Sequence, residues 1–306
     1  MADILKMFDV YKTHLNMIHE MNKTEVTDEY ICPICLKGYG KKDILELSLE
    51  DAPQQALGGQ KIAITCKECN NTCGHSIDYH LINMLDYIEI SCFLSGTDHR
   101  IKILNLDKEK PSNALMEVKG KDDIKLIISE HNNNPYTLKE RLNQLVDGKE
   151  ITIQNKTIKV NIRNASAAII KNAYIILIAK LGFSFILDKH YDRIRKQIMN
   201  PMPYILPDGL WTMQRHLDVA DGVYLSNDNR YRGFFVIYTA KRMQIYRFLV
   251  FLPTPFVYYE AAATLFRTIE SGDCLSLMRI NDSDYIANKE NMQLIKQWTY
   301  SWTLKI

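Results

Sequence analysis

Four cysteines stand in two Cys-x-x-Cys pairs, Cys32/Cys35 and Cys66/Cys69, on either side of a thirty-residue stretch. Each pair offers two thiolates at one tight turn, and two such knuckles suit a tetrahedral sulfur site for structural zinc. The residues between and after them carry other chemistry. Glu50 and Asp51 are adjacent carboxylates in the stretch between the pairs. Asn70, Asn71, His75 and Asp78 follow the second pair.

The elements that must position these groups can be read from the pattern. Asp43 to Leu49 (DILELSL) alternates and predicts a strand. Residues 52–59 contain Pro53, Gly58 and Gly59 and predict a loop. Residues 62–65 predict a second strand, and 70–85 a helix. The order is knuckle, strand, acidic pair, loop, strand, knuckle, helix. Zinc would tie the start of the hairpin to the start of the helix, with the acidic end of the hairpin facing the first helical turn.

The run LSLEDAPQQALGG, followed by ITCKECNNTCGHSID, resembles the zinc-containing HNH endonucleases with a ββα-metal core. The resemblance covers about fifty residues and is specific in its motif. It implies that Glu50 matches the acidic metal ligand and Asn70 the helix ligand of a Mg or Mn site. Asp51 falls where the family carries its general-base histidine. A carboxylate near pKa 4 is a weaker base at neutral pH than imidazole near about 6.5. Asp51 could instead act as a second oxygen ligand, with a metal-bound hydroxide attacking phosphorus. His75 or His80 could replace the missing base. Two functions follow: a metal-dependent endonuclease cutting DNA or RNA, DNA being favoured, or a catalytically degenerate HNH-like zinc module that binds nucleic acid or a partner protein. The resemblance further implies a bacterial anti-phage or restriction-type effector, working beside a partner ATPase or sensor protein, and leaves a homodimer open.

The chain has 306 residues, a net charge of +2, 46% hydrophobic and 24% charged residues. That composition is ordinary for a globular protein, and any nucleic-acid face must be local. Seven cysteines, three outside the knuckles, indicate a reducing compartment, and a cytoplasmic location is expected. The start, MADILKMFDV, lacks the basic and apolar regions of a secretory leader. The run 173–187 is too short for a membrane span, and no membrane partner is expected.

Residues 2–22 predict an amphipathic helix. Strands are expected at 98–104, 113–119 and 124–129, a helix at 137–146, and a hairpin over 151–162 turned at Asn155-Lys156. Residues 87–94 (YIEISCFL) fit either a helix extension or a strand. Residues 166–181 form the most hydrophobic helix, capped by Gly182. A helix over 189–199, strands at 233–239 and 245–252, a helix at 261–269 and a closing strand at 297–306 complete the reading. Lys171, Ala173, Tyr174, Arg195, Gln197 and Ile198 resemble a tail found in the same HNH subgroup. The fold class is therefore α+β: a zinc-bound ββα (HNH or treble-clef-like) module over 1–95, then a mixed α/β region over 96–306. Basic residues recur from Lys189 to Arg247 with Trp211, Tyr224 and Tyr231 among them. Lys61 and Lys67 beside the module, with Arg193, Arg195 and Lys196, are the candidate phosphate contacts.

Overall fold

The computed structural model describes residues 2–280 and 290, apart from 105–110, 144–149, 156–157, 185, 215–217, 227, 229, 256 and 272–274. The chain runs through α1 (Ala2–Asn22), β1 (Tyr30–Ile31), β2 (Gly38–Tyr39), β3 (Leu47–Ala52), β4 (Gln60–Cys66), α2 (Lys67–Cys73) and α3 (Tyr79–Ser91). It continues through β5 (Thr97–Ile103), β6 (Ser112–Gly120), β7 (Asp123–Ile127), α4 (Pro135–Leu142), β8 (Ile153–Asn155), α5 (Ile162–Leu181) and α6 (Asp192–Met199). The last elements are β9 (Trp211–Gln214), β10 (Gly222–Ser226), β11 (Gly233–Lys241), β12 (Ile245–Pro253), α7 (Ala262–Glu270) and β13 (Leu277–Arg279). The architecture is α+β.

The chain divides into two compact units. One comprises residues 1–82, 161–241 and 245–306; the other comprises 83–160 and 242–244. The division is not the expected one at 95/96. It falls inside α3, and the C-terminal half returns to the knuckle-bearing unit because α5 buries its surface there. That helix packs against β3, β4 and the turn after α2 on one side and against β11 and β12 on another. Its central residues are buried around the whole circumference, Lys171 and Asn172 among them, so it is enclosed on all sides. Ile162–Leu181 is long and apolar enough to cross a membrane, and 78% of its 18-residue apolar window is buried within the protein.

The large unit also holds an antiparallel five-stranded sheet in the order β13-β10-β11-β12-β9. Phe234, Phe235, Phe248 and Phe251 fill its core. The β3–β4 hairpin forms a separate two-stranded sheet, paired from Leu47↔Cys66 to Ala52↔Gln60 with a bulge between Glu50 and Asp51. Residues 43–46, expected as the start of a strand, lie in a 3-10 turn over Lys41–Glu46 instead, so the strand begins at Leu47. Gly58 adopts φ +81°, and a Cβ on Gly59 would meet the Pro53 carbonyl oxygen at 1.5 Å. The Gly-Gly of the loop is thus a steric requirement. Residues 67–91 run as α2, a π-helical turn over Gly74–Asp78, and α3, which settles 87–91 as helix.

The smaller unit is a four-stranded antiparallel sheet in the order β7-β6-β5-β8. Alternation sends Ile101, Ile103, Ala114, Met116 and Val118 to one face, where Leu126, Ile128 and Ile153 join them. Of the hairpin expected over 151–162, only β8 forms, and it pairs with β5; its expected turn reaches into residues outside the description. The strand expected at 297–306 lies wholly outside it.

His14 ties α1 to the end of α5. Its Nδ1 accepts from the Phe183 N–H at 3.2 Å, and Nε2 lies 3.3 Å from Ser184 Oγ. Gly182, at φ +57°, permits this approach, since a Cβ there would stand 2.5 Å from His14 Nδ1. Burial pushes the His14 imidazole down to about 3 from the ordinary 6.5. Between those values the unfolded chain binds the proton and the folded one does not, so stability falls as pH drops below 6.5. By pH 4 the loss from His14 is about 3 kcal/mol. Urea unfolding at pH 7 and pH 4 is expected to show that decline, and His14→Gln should reduce it by a comparable amount.

Candidate metal centre and the adjoining carboxylates

The two knuckles converge. Cys32 and Cys35 lie on the turn between β1 and β2, closed by Cys32 N–H to Lys37 O at 2.9 Å and Leu36 N–H to Cys32 O at 2.8 Å. Leu36 takes φ +60° to make that turn. Cys66 ends β4 and caps α2, accepting from the Cys69 N–H at 3.4 Å. The Cys66 N–H in turn donates to Cys32 Sγ at 3.4 Å. All four sulfurs lie within 4.8 Å of one another, with Cys35 and Cys66 3.8 Å apart. Tetrahedral sulfurs around zinc, at bonds of about 2.3 Å, stand about 3.8 Å apart. The donor set and spacing fit a structural metal such as zinc, and the backbone N–H groups aimed at two sulfurs suit thiolates. A hydrogen bond from the Cys32 thiol draws Cys35 down to about 7. Cys73, buried and outside the cluster, is pushed up to about 12 by burial.

Glu50 does not face an open cation position. Its Oε1 lies 2.7 Å from Lys171 Nζ, and its Oε2 accepts from Thr65 Oγ1 at 2.9 Å. Lys171 Nζ also meets Asp78 Oδ2 at 2.6 Å, and Asp78 Oδ1 accepts from Gln54 Nε2 at 2.6 Å. Every carboxylate oxygen of the triad therefore has a partner. The Lys171 side chain is 0% exposed and Glu50 2%. Burial opposes the charge on Lys171, yet the carboxylates of Asp78 and Glu50 outweigh it and raise the lysine above its ordinary range. Burial also raises Glu50, with Lys171 pulling the other way.

Among the described residues, none of the other expected site residues is hydrogen-bonded to the triad. The Asn70 amide donates to Ser48 Oγ at 3.0 Å and to Leu49 O at 3.2 Å, so it fastens α2 to β3. Asp51 sits past the bulge, half-buried and paired in register with Lys61; burial raises it while Lys61 lowers it. His75 is exposed on the π-helical turn, and His80 is buried with no partner at Nδ1. A cation touching Glu50, Asp51 and Asn70, as the resemblance implied, would compete with Lys171 and Thr65 for the Glu50 carboxylate.

The candidate phosphate contacts also divide. Lys61, Lys67 and Lys196 are exposed. Arg193 is held by Glu260 at 2.6 Å and by the Ile205 carbonyl at 2.8 Å. Arg195 is 4% exposed and bonds the Ile186 and Asp188 carbonyls, Asp192 and the Tyr174 hydroxyl, so it is a structural residue. Arg230 pairs with Asp228 and Arg247 with Asp221, and Tyr224 and Tyr231 lie in the core. Two residues escaped assignment from sequence, Lys171 and Asp78. A lysine inside SAAIIKNAYIILIAKL was the available signal, because buried cations require buried anions. Neither a family model, nor a curated protein, nor a solved structure matches the chain.

Cys66→Ser and Cys69→Ser are expected to abolish binding of about one metal ion per chain and to lower the melting temperature by at least about 10 °C. Elemental analysis and calorimetry read both. Lys171→Met should cost about 3–5 kcal/mol in urea unfolding, because two carboxylates lose their counter-ion in a dry site. Adding Glu50→Gln and Asp78→Asn should recover part of that loss.

Proposed function

We propose that the zinc-clamped hairpin and helix are an HNH-type scaffold in which a lysine has taken the place of the catalytic cation, and that the module binds nucleic acid without metal-dependent cleavage. One observation carries this reading: Lys171 Nζ fills the space between Glu50 and Asp78 at 2.7 and 2.6 Å, and the ammonium has no exposure. A divalent ion would have to displace a buried charge that already satisfies both anions. The replacement of the family's histidine by Asp51 points the same way. Lys61, Lys67 and Lys196 are the exposed cations that would meet phosphates. The reduced knuckles fit a cytoplasmic setting, and an anti-phage or restriction-type role with an ATPase or sensor partner, or as a homodimer, belongs to the same proposal.

The second reading is a nuclease that uses Asp51. Its half-buried carboxyl is raised by burial, which improves it as a base, and the bulge at Glu50/Asp51 turns it away from the triad's strand register.

A single pair of assays separates them. Retardation of a 20-bp duplex should weaken with rising salt, and Lys61→Glu/Lys67→Glu/Lys196→Glu should lower affinity by at least tenfold. Plasmid and total RNA incubated with Mg or Mn should remain intact. Cleavage that disappears in Asp51→Asn would establish the nuclease reading instead.

A further inference from the structure

The smaller unit presents a second candidate site. The face of its sheet opposite the apolar core carries Arg100 and Lys102 on β5, Asn113 and Leu115 on β6, Ile127 on β7 and Gln154 on β8. The register places these side by side: Arg100↔Leu115, Leu115↔Ile127, Lys102↔Asn113 and Lys102↔Gln154. They line one cavity of about 650 Å³, within the size range of small-ligand sites. Arg100 and Lys102 are exposed, and among the described residues neither has a salt-bridge partner. The cavity therefore combines two cations, an apolar wall from Leu115 and Ile127, and the amides of Asn113 and Gln154.

We infer that this face binds single-stranded nucleic acid, with phosphates at Arg100 and Lys102, a base laid against Leu115 and Ile127, and its polar edge read by the Asn113 and Gln154 amides. Charge complementarity selects a polyanion. The adjoining apolar wall selects one whose bases are unstacked and can enter a cavity, which a duplex does not offer. Asn and Gln amides match the paired donors and acceptors of base edges. The inference extends the nucleic-acid reading above to a different unit and a different strand state.

The test measures anisotropy of a fluorescein-labelled mixed-sequence DNA 12-mer, single-stranded and as a duplex, with the full chain. Arg100→Glu/Lys102→Glu should weaken single-strand binding by at least tenfold and leave duplex binding within twofold. Arg100→Ala/Lys102→Ala should reduce the slope of log affinity against log salt by about 1.4, that of two single-strand phosphates. Gln154→Ala should change preference among homopolymeric 12-mers without changing that slope. Unaltered single-strand affinity in both double variants, with circular dichroism unchanged, overturns the inference, as does a wild-type chain that fails to bind the single strand. Duplex binding that ignores Lys61, Lys67 and Lys196 while single-strand binding depends on Arg100 and Lys102 sinks the zinc-module reading and leaves this one standing.

Discussion

A lysine with no solvent exposure survives in a protein interior only when anions surround its ammonium, because the desolvation cost of an unpaired charge exceeds anything local packing returns. Lys171 meets that condition through Glu50 from the hairpin and Asp78 from the helix that follows it. The three groups come from three elements, so the ion triad also sets their mutual positions. Thr65 and Gln54 complete the remaining carboxylate oxygens, and Asn172, next to Lys171, contacts Gln54 at 3.4 Å. The site is dry and saturated. Its directional bonds specify one seating of α5 against the hairpin, where apolar contact alone would tolerate several.

Three residues further along the same helix, the Tyr174 hydroxyl donates to the Pro33 carbonyl inside the first knuckle, at 2.8 Å. Arg195 then contacts Tyr174 and fastens α6 to the segment before it. Gln197 accepts from the Ile205 N–H and donates to the Pro201 carbonyl, which shapes the proline-rich turn. Lys171, Tyr174, Arg195 and Gln197 thus tie α5 and α6 to their surroundings. Each of these four bonds a group of the knuckle, the triad, the segment before α6 or the following turn. Thiol cluster and ion triad are neighbours on one hairpin, one at each end, and α5 touches both.

The functional consequence concerns which groups remain available to a partner. Glu50, Asp78, Asn70 and Arg195 are consumed by internal bonds. Asp51, His75, Lys61, Lys67 and Lys196 keep solvent contact. The second unit contributes a sheet whose outer face carries cations and amides, a type of surface that composition alone does not mark because the net charge of the chain is small.

By itself the sequence determined the elements whose pattern is local. The two knuckles followed from cysteine spacing, α1 and α5 from apolar periodicity, β11 and β12 from their apolar runs, and the Gly58-Gly59 turn from composition. It also indicated that the helix after the second knuckle starts against the hairpin, where Asn70 bonds Ser48 and the Leu49 carbonyl. Tertiary structure alone decided what those groups do. Whether Glu50 holds a metal or a lysine depends on a residue more than a hundred positions away, and no local pattern records that distance. The boundary between units was hidden for the same reason: α5 is largely apolar, and its sequence states that it is enclosed without stating by what. Arg195 looked like a surface cation because charge is local information, whereas its burial is set by the Tyr174 hydroxyl and two carbonyls that only folding brings to it.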